Sequence, residues 1–195
     1  MMGCTMIIGL TGPICAGKDS IVQYLRDKGF EYFSLSNMIR DEAAKLGMGR
    51  DRESLQKVGD MLKQRYGDDG VFARRIVETL QKQDLKKAVV ESIRHPAEVA
   101  EFRKASEFVL LAVDARQRLR FARSKKRGLA DDVDNFEEFR KFDEKEVRGD
   151  PGSHQKLKAT MALADFTLDN NGTLKELHNQ IDRALKKALK NLSLT

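Results

Sequence analysis

Residues 6–20 read MIIGLTGPICAGKDS: a short apolar strand, a glycine loop closing on Gly17-Lys18, and the opening of a helix. Glycines let a backbone curl until successive N–H groups point at one anion. A lysine after the second glycine reaches the outer phosphates of a polyphosphate, and the helix N-terminus adds its partial positive charge. The loop follows the only strong N-terminal strand run, Met6 to Leu10, and precedes an amphipathic segment carrying Ile21, Val22 and Leu25. Gly12, Pro13, Ile14, Cys15, Ala16, Gly17, Lys18, Asp19 and Ser20 are therefore expected to hold the phosphates of ATP.

One position departs from the general pattern. The residue after the lysine is usually Ser or Thr, whose hydroxyl helps hold Mg²⁺; here it is Asp19, and Ser20 supplies a hydroxyl one place later. A carboxylate is a hard oxygen ligand suited to Mg²⁺. Without the metal it repels a polyphosphate. Gly-Lys-Asp followed by a hydroxyl residue resembles the loop of phage deoxynucleoside monophosphate kinases, and Gly-Lys-Asp alone occurs in animal phosphomevalonate kinases. That resemblance implies an active variant, with Mg²⁺ near Asp19 and Ser20.

At 195 residues, 34% charged and 41% apolar, the chain suits one soluble domain with a sizeable core. No apolar run approaches membrane-spanning length, and the apolar start is too short for a secretory leader. Two cysteines, Cys4 and Cys15, make no disulfide scaffold, so a reducing cytoplasm is the expected home. His95, His154 and His178 are scattered, without zinc spacing. The net charge of +6 raises the question of nucleic acid. Yet basic and acidic residues interleave, aromatics are 7% and Trp is absent, so no basic stripe with stacking residues forms. The expected partner is a small phosphate acceptor, not nucleic acid or a membrane. Oligomeric state is left open.

Strand-like and helix-like segments alternate, the signature of a parallel α/β sheet. A helix runs to Lys28 and stops at Gly29. Glu31–Leu35 is a second strand, with Ser36 as N-cap of a helix to Leu46. Leu55, Val58 and Leu62 mark another helix, and Val71, Phe72, Ile76 and Leu80 a third. Lys87–Ile93 is strand three, and Pro96 suits a first helical turn. Phe108–Val113, six consecutive apolar residues, has the look of a central strand buried on both faces. A basic helix follows from about Ala115 to Arg127. Phe166–Leu168 is the last strand, after which Thr173 and Glu176 form a capping box.

Phosphoryl transfer needs donor and acceptor held in line with cations around the moving group. Arg94 follows strand three, at the edge where open parallel sheets bind ligands, and its guanidinium suits a phosphate. Arg123 and Arg127 stand four apart on one helix face. By resemblance, Ser34-Leu35-Ser36-Asn37-Met38-Ile39-Arg40 is similar to the adenylate kinase segment whose arginine grips the acceptor phosphate, with Ser36 at the helix start. Val90-Glu91-Ser92-Ile93-Arg94 resembles the acid-x-x-arginine turn of small-molecule kinases, which implies Glu91 in the magnesium shell. Arg120 to Gly128 is similar to the start of the lid in nucleotide and dephospho-coenzyme A kinases, although Leu129 stands where a further arginine is common. Ala164 to Thr173 is similar to the end of dephospho-coenzyme A kinases and phage deoxynucleotide kinases, implying Asn171 and Gly172 beside the adenine.

The resemblance to the P-loop nucleoside and deoxynucleoside monophosphate kinases covers nearly the whole chain. It implies a three-layer α/β/α P-loop NTPase fold with a five-stranded parallel sheet in the order 2-3-1-4-5. Residues 1–35, 83–123 and 160–195 would form the core, 36–82 an acceptor-binding insertion, and 124–159 a lid. It implies an ATP- and Mg²⁺-dependent kinase in which Lys18, Arg94, Arg123 and Arg127 serve catalysis and Ser36, Arg40 and Arg94 the acceptor. The Asp-x-Asp-like segment of a true dephospho-coenzyme A kinase is missing after strand two, which favours a nucleoside or deoxynucleoside monophosphate. A dephospho-coenzyme A kinase-like enzyme and a non-catalytic ATP-binding regulator are the alternatives.

Overall fold

A computed structural model describes residues 6–49, 51–105, 107–128, 133–148 and 156–192, with backbone alone at 52, 53, 191 and 192. Cys4, Leu129 and His154 lie outside the described residues. The elements run β1 (Met6–Thr11), α1 (Lys18–Arg26), β2 (Glu31–Ser34), α2 (Leu35–Lys45), α3 (Arg52–Tyr66), α4 (Val71–Lys82) and β3 (Lys87–Glu91). They continue with α5 (Pro96–Ala105), β4 (Glu107–Asp114), α6 (Gln117–Arg127), α7 (Phe136–Arg148), α8 (Leu157–Met161), β5 (Phe166–Asp169) and α9 (Leu174–Leu192).

The five strands are parallel in the order β2-β3-β1-β4-β5, as expected. The period-two alternation of strands divides the apolar side chains between two cores. Ile8, Leu10, Val89, Leu111 and Val113 face α1 and α9 through Ile21, Leu25, Leu177 and Ile181. Ile7, Val90 and Leu110 face the opposite layer, with Phe72, Ile76, Leu80, Val99 and Phe102. Strands buried on both sides explain the unbroken apolar runs in β1 and β4.

The chain leaves β1 toward β3 and β2 on one side and reaches β4 and β5 on the other. The carboxyl ends of β1 and β4 thus border the crevice where open α/β sheets take ligands. α2 and α3 open with side-chain caps: Ser34 accepts from the Asn37 N–H and Asp51 from the Ser54 N–H. α1 has no such cap; Gly17 precedes it in a left-handed conformation. Its first N–H groups are left for an anion.

Several boundaries differ from the sequence reading. Ser34, not Ser36, caps α2, because strand pairing continues through Ser34 opposite Glu91 and the helix begins at once with Leu35. β3 ends at Glu91 instead of Ile93, because Ser92 takes φ 64° and turns the chain out of the sheet. The basic helix starts at Gln117 rather than Ala115. The capping box is as expected: the Thr173 N–H donates to Glu176 Oε2 at 2.7 Å and the Glu176 N–H to Thr173 Oγ1 at 3.3 Å.

Candidate nucleotide and phosphoryl-transfer site

The loop from Gly12 to Gly17 curls at its two glycines, which take φ 142° and 106°. Neither tolerates a side chain. A Cβ at Gly12 would run into the Val113 carbonyl oxygen, and one at Gly17 into the Asn170 amide. Lys18 folds back over the loop, its Nζ donating to the Gly12 and Pro13 carbonyls, each at 2.8 Å. Its pKa is lowered to about 8, first by burial and then by the positive charge of Arg94; Glu146, Glu91 and Asp19 oppose the shift. Lys18, Arg94, Glu91, Asp19 and Glu146 therefore share one electrostatic neighbourhood. A phosphate entering it would raise the lysine's pKa again and hold its charge.

Arg94 sits just past β3, as its position in the sequence implied, but it is already engaged. Its Nη1 forms an ion pair with Glu146 of α7, whose side chain is only 9% exposed. Around it the backbone is pinned: Glu98 Oε2 accepts from the Arg94 N–H at 2.8 Å and from the His95 N–H at 3.0 Å. Glu98 in turn pairs with the buried Lys63 of α3 at 3.2 Å. Burial pushes the Glu98 carboxyl up, and Lys63 holds it down. Glu91 accepts from the Tyr32 hydroxyl at 2.7 Å. Burial, then this carboxylate, raises the Tyr32 pKa to about 12, so the phenol stays a donor.

The remaining candidates lie at different depths. Arg123 Nη2 donates to the Asn170 carbonyl at 2.9 Å, and its Nη1 reaches the Cys15 and Ala16 carbonyls at 3.5 and 3.4 Å. Arg127 is exposed at the last position of α6. Arg40 is exposed and donates to Asn37 Oδ1 at 2.8 Å, one turn back on α2; Ser36 lies in the first turn of the same helix. Asn171 Oδ1 accepts from the Arg116 N–H at 2.7 Å, tying the turn after β5 to the start of α6, with Gly172 exposed beside it. The loop, Lys18, Glu91, Arg94 and Arg123 thus gather at the carboxyl edge of the sheet. Arg40, Ser36 and Arg127 stand on helices flanking it.

The model of a family described as AAA domain matches residues 8–145. A UPF0200 protein of Pyrococcus horikoshii is 31% identical over 192 residues, 95% of this chain and 99% of that one. The chain belongs to the UPF0200 family. A UPF0200/UPF0201 protein of Archaeoglobus fulgidus is 32% identical over 193 residues, where the chain spans 96% of itself and 57% of its relative. Among solved structures, the shikimate kinase of Bacteroides thetaiotaomicron superposes with a TM-score of 0.59 at 12% identity, covering 95% and 98% of the two chains. That likeness is one of fold, the P-loop kinase fold.

The residues of this UPF0200 chain fit a nucleotide polyphosphate: an uncapped helix N-terminus, two glycines that admit close approach, and a lysine inside the loop. For a divalent ion the fit is thinner. No three His, Cys, Asp or Glu side chains among the described residues form a ready metal site. Asp19, Ser20 and Glu91 would share the ion with phosphate oxygens and water, the usual arrangement for Mg²⁺. Among the described residues, no helix is long and apolar enough to cross a membrane.

The roles of three residues escaped the sequence reading. Asn170, next to the singled-out Asn171, is the one that reaches the loop: its Nδ2 donates to the Ala16 carbonyl at 2.7 Å. Arg120 is 5% exposed and bound on both Nη atoms by Asp143 of α7. Glu146 carries no local signal at all, since only the docking of α7 brings it to Arg94.

Proposed function

We propose that the protein is an ATP-dependent small-molecule kinase whose acceptor is a nucleoside or deoxynucleoside monophosphate. The observation that carries this reading is the gathering of Lys18, Arg94, Glu91 and Asp19 around one uncapped loop and helix start. In this reading the loop amides and Lys18 bind the β- and γ-phosphates. An acceptor phosphate oxygen attacks the γ-phosphorus, its bond forms as the β–γ bridging bond breaks, and ADP departs with the electron pair. No general base is required, because the acceptor oxygen is already anionic. Asp19, Ser20 and Glu91 would hold Mg²⁺, which would supply charge neutralisation to the phosphates. Arg94 and Arg123 neutralise the moving group, with Arg127 brought in when the helices of 124–159 close as a lid. Arg40 and the start of α2, within the 36–82 insertion, grip the acceptor.

The Arg94–Glu146 ion pair favours a second acceptor class, a neutral alcohol. A site in which the arginine already has its carboxylate gives an incoming phosphate dianion less, while Glu146 or Glu91 could take the proton a hydroxyl must lose. ADP release measured across nucleoside and deoxynucleoside monophosphates, dephospho-coenzyme A and simple sugar alcohols separates these. Turnover on monophosphates alone supports the first reading; turnover on alcohols alone replaces it. ATP binding without turnover on any acceptor supports a regulatory module. Failure to bind ATP with Mg²⁺ overturns all three.

Asp19 gives a sharper test. Asp19→Ala should weaken ATP binding with Mg²⁺ about tenfold. The same change should leave binding in EDTA equal or tighter, because a negative charge has left the phosphate site. Calorimetric titrations under both conditions read the difference. If Asp19→Ala binds MgATP like the parent, Asp19 is only an acid stabilised by the helix dipole.

A further inference from the structure

Among the described residues, three side chains approach the loop from outside and bind its carbonyls. Arg120 Nη1 donates to the Ile14 oxygen at 3.3 Å, Arg123 Nη1 to the Cys15 and Ala16 oxygens, and Asn170 Nδ2 to the Ala16 oxygen at 2.7 Å. We propose that Asn170, helped by Arg120 and Arg123, is a positioning residue that sets the loop's amides for a polyphosphate before any ligand arrives. The inference rests on the reading of residues 12–20 as a phosphate loop.

The physical argument begins with the peptide plane. In a trans peptide the C=O and the following N–H point in opposite directions. A carbonyl held outward therefore turns the next N–H inward. Holding the Ala16 oxygen sets the Gly17 N–H, and holding the Ile14 oxygen acts likewise on the Cys15 amide; the Ala16 N–H is used within the loop, donating to the Pro13 carbonyl at 3.3 Å. Gly17 is the flexible joint, and Cys15 takes φ 56°, a left-handed conformation that persists for an ordinary side chain only where its surroundings hold it. Without outside contacts, entropy would favour other loop conformers, and a ligand would have to select the competent one.

The braces are themselves rigid. Asn170 is 6% exposed, and its own N–H donates to the Asp114 carbonyl at 2.8 Å, at the end of β4. Its carbonyl accepts from Arg123 at 2.9 Å, so the amide and the guanidinium form one unit. Arg120 is fixed by Asp143 and by the Ala115 carbonyl at 2.9 Å. The Asn170 bond is the short one, while those from Arg120 and Arg123 are long, so Asn170 bears the largest share. Its approach also explains Gly17 beyond any need of the phosphate, since the Asn170 amide occupies the space a Cβ would need.

Asn170→Leu keeps much of the volume and removes the donor; Asn170→Ser is the milder variant, in which a short hydroxyl replaces the amide. The probe is inorganic tripolyphosphate, which has no base or sugar, titrated beside ATP, with thermal unfolding recorded for each variant. Tripolyphosphate affinity should fall about tenfold in Asn170→Leu, and by less in Asn170→Ser, at a temperature where both are folded. A folded variant with parental tripolyphosphate affinity overturns the inference. So does a loss confined to ATP, which would put Asn170 against the base. If the parent binds neither ATP nor tripolyphosphate, the phosphate-loop reading itself fails. If it binds both and Asn170 makes no difference, this inference alone fails.

Discussion

Lys18→Met should lose about a hundredfold in ATP affinity, about 2.7 kcal/mol, while unfolding at nearly the parental temperature. The loss follows from removing a cation that contacts the phosphates directly, so it should persist in EDTA, unlike that of Asp19→Ala. The unchanged stability follows from burial. Lys18 has a pKa near 8 in the folded protein, against an ordinary 10.5. A lowered lysine pKa means the charge costs stability, a cost fully present below about pH 8 and relieved as pH rises toward 10.5. Methionine removes that cost but gives up two hydrogen bonds to the Gly12 and Pro13 carbonyls, and the two roughly cancel at neutral pH. Unfolding between pH 7 and 10 supplies a second check, because Lys18→Met should lack the parent's gain with rising pH. A large fall in melting temperature, with ATP affinity little changed, would make Lys18 a structural brace.

The contrast with the braces is instructive about what a sequence displays. The Gly12-to-Lys18 spacing is legible because the loop's geometry is local: two glycines and a lysine within seven residues produce the curl wherever they follow a strand. The sheet was legible for a similar reason, since the apolar runs Met6–Leu10 and Phe108–Val113 have no other economical placement than between two helical layers. The cap of α2 was not. Ser34 and Ser36 are equally good caps in isolation, and only the pairing of Ser34 with Glu91 decides between them. The partner of Arg94 lay further out of reach, because Glu146 is 52 residues away and on a helix whose docking depends on tertiary contacts. Arg120 shows the same limit differently. It stands on the arginine stripe with Arg116, Arg123 and Arg127, and nothing in the spacing says that one of the four is buried and structural. That role is decided by Asp143, which no periodicity connects to it.

Asp143→Ala should accordingly be the most destabilising single change around the site. Asp143 and Arg120 are 3% and 5% exposed, and the carboxylate accepts from both Nη atoms of Arg120 and, at 2.8 Å, from Gln117 Nε2. Alanine leaves the buried guanidinium, among the described residues, with the Ala115 and Ile14 carbonyls and a distant Asp114 carboxylate at 3.5 Å. Breaking one side of such a pair costs about 3–5 kcal/mol. For a chain of this size, that lowers the melting temperature by about 10 °C. The double variant Arg120→Met/Asp143→Leu, which removes both charges and fills the space with apolar atoms, should recover most of that loss. It should not recover phosphate affinity, because the donor to the Ile14 carbonyl has gone as well. Thermal unfolding and tripolyphosphate titration of the single and double variants read the two effects apart. A double variant no more stable than Asp143→Ala would show that the unpaired charge is not the source of the cost. One with parental phosphate affinity would remove Arg120 from the set of residues that shape the loop.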